Sequence, residues 1–189
     1  MSIVMIVKNE KTGDIVVGSD LKICEGDYSC VQSKKYKVFN THNIIVGYVG
    51  SFQGVGILLN RFKPVKTNDI FNYSTQFKQC LLDNGLIANL KTESCYEYII
   101  ATPDKILTGD SYGHEFIVNN NFYAIGSGNK ISMGILAYLF NEKYSKYNNL
   151  EITNEEIHKE ITTILKICEE YVPSTGNGSS VSIYKRKKK

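Results

Sequence analysis

Residues 124–140 read AIGSGNKISMGILAYLF, with Ser127 held between two glycines directly ahead of an amphipathic run. The first N–H groups of a helix lack backbone partners, so a serine there is an ordinary cap. The same hydroxyl could instead take part in chemistry, and read alone the capping account is the simpler. Metal chemistry has little to build on. The five cysteines (Cys24, Cys30, Cys80, Cys95, Cys168) form no CxxC pair, and the three histidines (His42, His114, His158) are far apart in sequence. No zinc site and no cofactor is expected from that spacing. The thiols are read as reduced, and Cys24 and Cys30, which flank a loop, could pair only in an oxidising setting.

Composition sets the frame for any such site. The 189 residues suffice for one well-filled core, and the 42% apolar and 22% charged content is that of a globular chain. No run reaches the ~20 apolar residues of a membrane helix. The start, MSIVMIVKNE, lacks the basic head and cleavage site of a secretory signal, so a cytoplasmic location is expected. The net charge of +3 hides an asymmetry: KRKKK at 185–189 supplies five positive charges, leaving −2 on the rest. That tail is read as a solvated terminus following a single domain over 1–184. Basic and aromatic residues are not interleaved elsewhere, so no nucleic-acid surface is expected.

The elements that must position the chemistry follow from periodicity. SIVMIVKN and DIVVGSD, separated by a Gly-containing turn, predict a hairpin. A polar loop is expected over 21–35, then a second hairpin turning near Thr41–Asn43. Phe52, Val55, Leu58, Leu59 and Phe62 fall at helical spacing over 51–62, and Phe77, Cys80 and Leu81 repeat it ahead of Asn84-Gly85. Strand character returns over 95–127, with turns at Pro103-Asp104 and Ser111–Gly113. A helix is expected from about Asn129. A longer one follows Thr153, which with Glu156 forms a capping box and buries Ile157, Ile161, Ile164, Leu165 and Cys168. SSVSIYK closes the chain as a strand. Runs of strands alternating with runs of helices indicate an α+β fold, with two packed sheets and helix pairs outside.

Taken in order, SIVMIV…VVGSD, KVF, VGYVGSFQG, ILTGD and FYAIGSG resemble a proteasome β-type subunit. The nearest likeness is to the HslV-like peptidases of the N-terminal nucleophile (Ntn) hydrolases, over Ser2 to about Tyr184. The resemblance implies a four-layer αββα sandwich of two mainly antiparallel sheets. It also implies a nucleophile on the first mature residue. Ser2 fills that role if Met1 is removed, which a small second residue normally permits. Its free α-amine, with a reference pKa near ~7.7–8.0, would accept the hydroxyl proton. Lys37, in KKYKVF, takes the place of the family's lysine, which keeps that amine neutral. Asp20 takes that of the acid orienting the lysine. Gly50 matches the glycine whose N–H stabilises the oxyanion. Ser127 matches a serine that helps shuttle the amine's proton, so both of its readings stay open.

The family usually begins with threonine, whereas this chain offers serine, and Thr175-Gly176 stands where many members carry Ser-Gly after an acid. The resemblance implies hydrolysis of unfolded polypeptides inside a homo-oligomeric ring, with an AAA+ unfoldase as partner. Two alternatives stand beside it: a catalytically inactive proteasome-like scaffold or binding protein, phage-encoded for instance, and a hydrolase of non-peptide amides.

Overall fold

A computed structural model describes residues 2–25, 29–86, 95–143 and 152–186. Strand β1 (Ile3–Lys8) explains the layering by itself. Alternate residues of a strand face opposite sides, and here both sides are covered. Ile3, Met5 and Val7 pack with the helices of one layer, while Val4 and Ile6 pack into the space between two sheets. A strand buried on both faces has no polar side to present, which is why IVMIV is continuously apolar.

β1 lies between β2 (Ile15–Asp20) and β10 (Phe122–Gly126), and β11 (Ser179–Tyr184) completes a four-stranded sheet in the order β10-β1-β2-β11. The second sheet runs β5-β6-β7-β8-β9, from β5 (Tyr36–Phe39) and β6 (Ile44–Val49) through β7 (Glu97–Ala101) and β8 (Ile106–Asp110) to β9 (Glu115–Val118). Every pairing in both sheets is antiparallel. Helices α3 (Asn129–Ala137) and α4 (Asn154–Tyr171) cover the first sheet. Helices α1 (Phe52–Gly56) and α2 (Ile70–Asp83) cover the second. The result is the four-layer αββα arrangement expected of the α+β pattern.

Two local expectations need correction. The segment 21–35 is not a plain loop: β3 (Lys22–Glu25) and β4 (Ser29–Gln32) pair within it as a separate antiparallel hairpin. Polar composition concealed it, because neither strand is a clean apolar run. The side chains of Cys24 and Cys30 lie outside the described residues, as do Met1 and the last three residues of the basic tail. The helix expected over 51–62 is α-helical only to Gly56 and continues as a π-helix over Ile57–Arg61. Two glycines within its first five residues weaken the α geometry there. Phe62 N–H then reaches five residues back to the Ile57 carbonyl at 2.9 Å.

α4 begins as its sequence indicates. The Glu156 N–H donates to the Thr153 hydroxyl at 3.2 Å, and the Thr153 N–H donates to the Glu156 carboxylate at 2.7 Å. Ile157, Ile161, Ile164, Leu165 and Cys168 are all buried. Thr153→Ala is expected to cost about 1 kcal/mol, read as a lower urea midpoint with an unchanged slope.

Candidate active site

Ser2 lies immediately ahead of β1, where the first sheet meets the end of the second, and is almost fully buried. Its hydroxyl points to the Lys22 carbonyl at 3.5 Å, a long contact that leaves the oxygen weakly engaged. Its carbonyl is held firmly. The Ser127 N–H donates to it at 2.9 Å, and the Ser127 hydroxyl lies 3.4 Å away. β1 and β10 are paired so that Ile3 faces Gly126, which carries the main chain of Ser127 past that of Ser2.

Asp20 ends β2 and is buried beside the same stretch of chain. One carboxylate oxygen accepts from the Ile3 N–H at 2.8 Å and from the Lys35 ammonium at 3.0 Å. The other accepts from the Gly176 N–H at 3.3 Å. Lys35 also donates to the Asp20 carbonyl at 2.8 Å. Both side chains of the pair are at most 2% exposed. Burial pushes the Asp20 carboxyl up and the Lys35 ammonium down, and the attraction between them is the chief counterweight in each case. A cation is thus tied, through one shared oxygen, to the peptide N–H directly after Ser2.

That cation is Lys35, which corrects the sequence-based placement of Lys37. Lys37 donates to the Leu59 carbonyl at 2.7 Å and has no contact with Asp20. The reason is strand parity. In β5, Tyr36 and Val38 face the space between the sheets, so Lys37 and Phe39 must face the helical layer of α1 and its π extension. Lys35 precedes the strand, before the alternation begins. Its N–H is anchored on the Ser19 hydroxyl at 3.3 Å, and its carbonyl accepts from the Tyr48 N–H. The signal was present: in KKYKVF the apolar positions 36 and 38 assign 37 to the opposite side.

Gly50 follows β6 at φ +152, one residue before Ser51, which caps α1. It shares with Ser2, Gly126 and Ser127 the wall of a cavity of about 480 Å³. Ser127 does not cap α3. The cap position is Gly128, and the Ser127 hydroxyl instead meets the Ser174 hydroxyl at 2.8 Å. Nothing in the local sequence marks Ser174 as part of the site. It follows Pro173 just beyond α4, next to the Thr175-Gly176 pair. Thr175 proves structural, its hydroxyl closing α4 on the Cys168 carbonyl at 2.7 Å. Ser2, Asp20, Gly50 and Ser127 therefore gather at one place, with Lys35 and Ser174 added and Lys37 outside. Among the described residues no group of three metal-ligating side chains converges, and no helix is long and apolar enough to cross a membrane.

No protein-family model matches the chain, and no curated protein matches it. Solved structures do resemble it over nearly its whole length. HslV from Trypanosoma brucei has a TM-score of 0.64 at 16% identity, covering 97% of this chain and 99% of that one. BPH from Thiobacillus denitrificans has a TM-score of 0.70 at 16% identity, covering 99% and 100%. Anbu, described as an ancestral β-subunit, from Yersinia bercovieri has a TM-score of 0.71 at 12% identity, covering 98% and 82%. The two antiparallel sheets between helix pairs are the fold that these HslV, BPH and Anbu structures share with this chain.

Proposed function

We propose that this chain is an Ntn-type peptidase subunit whose nucleophile is Ser2 after removal of Met1. The observation that carries this reading is the buried Asp20 carboxylate joining the Lys35 ammonium to the N–H that follows Ser2, beside an open cavity. The Ser2 hydroxyl attacks a peptide carbonyl, and its proton passes to the residue's own α-amine. Lys35 favours the neutral form of that amine by charge repulsion. The Gly50 N–H steadies the developing oxyanion. Collapse breaks the C–N bond, the proton leaves on the departing amine, and water then hydrolyses the Ser2 ester to restore the hydroxyl. Ser127, held by Ser174, keeps the Ser2 carbonyl in place. On this reading the subunits self-associate into a ring in the cytoplasm, and an AAA+ unfoldase feeds them unfolded polypeptide.

Intact-protein mass spectrometry before and after incubation with a β-lactone tests the assignment. The expected result is a mass lacking Met1 and one acyl adduct mapped to Ser2. Retained Met1 with no adduct would overturn the peptidase reading and leave the fold to serve as a scaffold.

A further inference from the structure

The mouth of the cavity beside Ser2 carries a charge pattern that the catalytic reading does not use. In the second sheet Val49 of β6 faces Glu97 of β7, and Glu97 faces Asp110 of β8, so the three form one row across three strands. Residues directly opposite on antiparallel strands share a face, with their Cβ atoms about 4.5–5.5 Å apart. This row stands on the side turned toward the first sheet, since Val49 and Ile99 pack into the layer between the sheets. The apolar filling ends at Val49, and the next two places in the row are carboxylates.

Like charges directly opposite each other in a sheet are destabilising, and both of these are fixed rather than splayed into water. One Glu97 oxygen accepts from the Gly126 N–H at 3.1 Å, which ties it to the strand that passes Ser2. Its other oxygen has no hydrogen bond among the described residues. Asp110 accepts from the N–H groups of Tyr112 and His114 at 2.9 and 3.0 Å and meets the His114 ring at 2.8 Å. His114 sits outside the cavity. Among the described residues that line the cavity there is no lysine, arginine or histidine, while Tyr96 and Tyr112 contribute aromatic surface. The volume of about 480 Å³ admits a long side chain.

We propose that this cavity is the specificity pocket for a cationic side chain, arginine before lysine, on a residue flanking the scissile bond. The inference rests on the peptidase reading for the position of that bond. A guanidinium bridges two carboxylates with parallel N–H donors and stacks on tyrosine, which an ammonium does less well. An acidic side chain meets two like charges in a site of reduced dielectric and is rejected.

The test uses the full chain and matched internally quenched peptides carrying Arg, Leu or Glu at either residue flanking the cleaved bond. At one of the two positions the Arg peptide is expected to exceed the Leu peptide about 5- to 20-fold in kcat/KM, and the Glu peptide to be the poorest. In Glu97→Gln/Asp110→Asn the Arg-to-Leu ratio falls to near one, and Glu97→Lys favours the Glu peptide. A second readout needs no turnover: ligand-observed NMR of agmatine with Ser2→Ala, where line broadening is expected and disappears when Glu97→Gln/Asp110→Asn is added. An acylated Ser2 with no Arg preference and no agmatine broadening overturns this inference and spares the peptidase reading. Agmatine broadening that depends on the two acids, without acylation or cleavage, upholds the cation pocket and overturns the peptidase reading. Absence of all these signals overturns both.

Discussion

Lys35→Met loses about 3–5 kcal/mol of folding stability and abolishes β-lactone acylation of Ser2, whereas Lys37→Ala retains both within narrow limits. The first expectation follows from what the substitution leaves behind. Asp20 would keep its N–H donors from Ile3 and Gly176 but lose the one cation in contact with it among the described residues, in a buried place. Removing one partner of a buried pair costs that amount because the other charge stays uncompensated. Lys37 is partly exposed, donates a hydrogen bond to the Leu59 carbonyl and lies over the Phe39 ring, contacts worth about 1 kcal/mol each or less. Urea unfolding gives the stabilities, and intact mass against time gives the acylation rate.

The double variant Asp20→Asn/Lys35→Met separates structure from chemistry. With both charges gone the penalty for an unpaired carboxylate disappears, so a good part of the stability returns. On the proposed mechanism acylation does not return, because the cation assigned to keep the Ser2 amine neutral is still missing. A drop on the order of 100-fold or more is expected in the acylation rate even where the protein is well folded. If the double variant regained both stability and acylation, the pair would be purely structural. If Lys37→Ala alone stopped acylation, the assignment of Lys35 would fail.

The difference between these two lysines shows how far the sequence can be read. The layering was legible because burial imposes a period. β1 has no polar face, α4 has one apolar stripe, and the capping box at Thr153 and Glu156 marks its start. Asp20, Gly50 and Ser127 stand where apolar strand runs stop, so their position at strand ends could be read from the sequence. Lys35 was hidden because three lysines crowd KKYK: the parity of β5 turns Lys37 away, but that Lys35 turns inward follows only from its place ahead of the strand, anchored on Ser19. The β3–β4 hairpin was hidden because it is small and polar, with no core of its own to impose alternation. Ser174 and Glu97 were hidden for a different reason. Their partners, Ser127 and Gly126, are 47 and 29 residues away, and such meetings depend on how the sheets stack rather than on local pattern.

Gly126→Ala is expected to stop acylation of Ser2 as completely as loss of Lys35, through geometry and not charge. Two effects combine at this residue. Its φ is +95, which a side chain adopts only under strain, at a cost of about 1–3 kcal/mol. Its added methyl group would also run into the Ser2 carbonyl and crowd the Ile3 Cα. The carbonyl of Ser2 is the group that the Ser127 N–H fixes at 2.9 Å. It cannot retreat without breaking that hydrogen bond and shifting the hydroxyl that attacks in the proposed mechanism. Displacements of about 1 Å in a nucleophile cost on the order of 100-fold in rate. Gly113→Ala is the matching control, since it carries a similar φ of +86 in the turn between β8 and β9 and has open space where its methyl group would stand. It should show the backbone strain alone, about 1–3 kcal/mol in urea unfolding, with acylation preserved. Equal losses of acylation in the two variants would mean that strain, not contact with Ser2, governs the site. A normal acylation rate in a folded Gly126→Ala protein would mean that the Ser2 carbonyl is free to move, and that its anchoring by Ser127 is not what aligns the nucleophile.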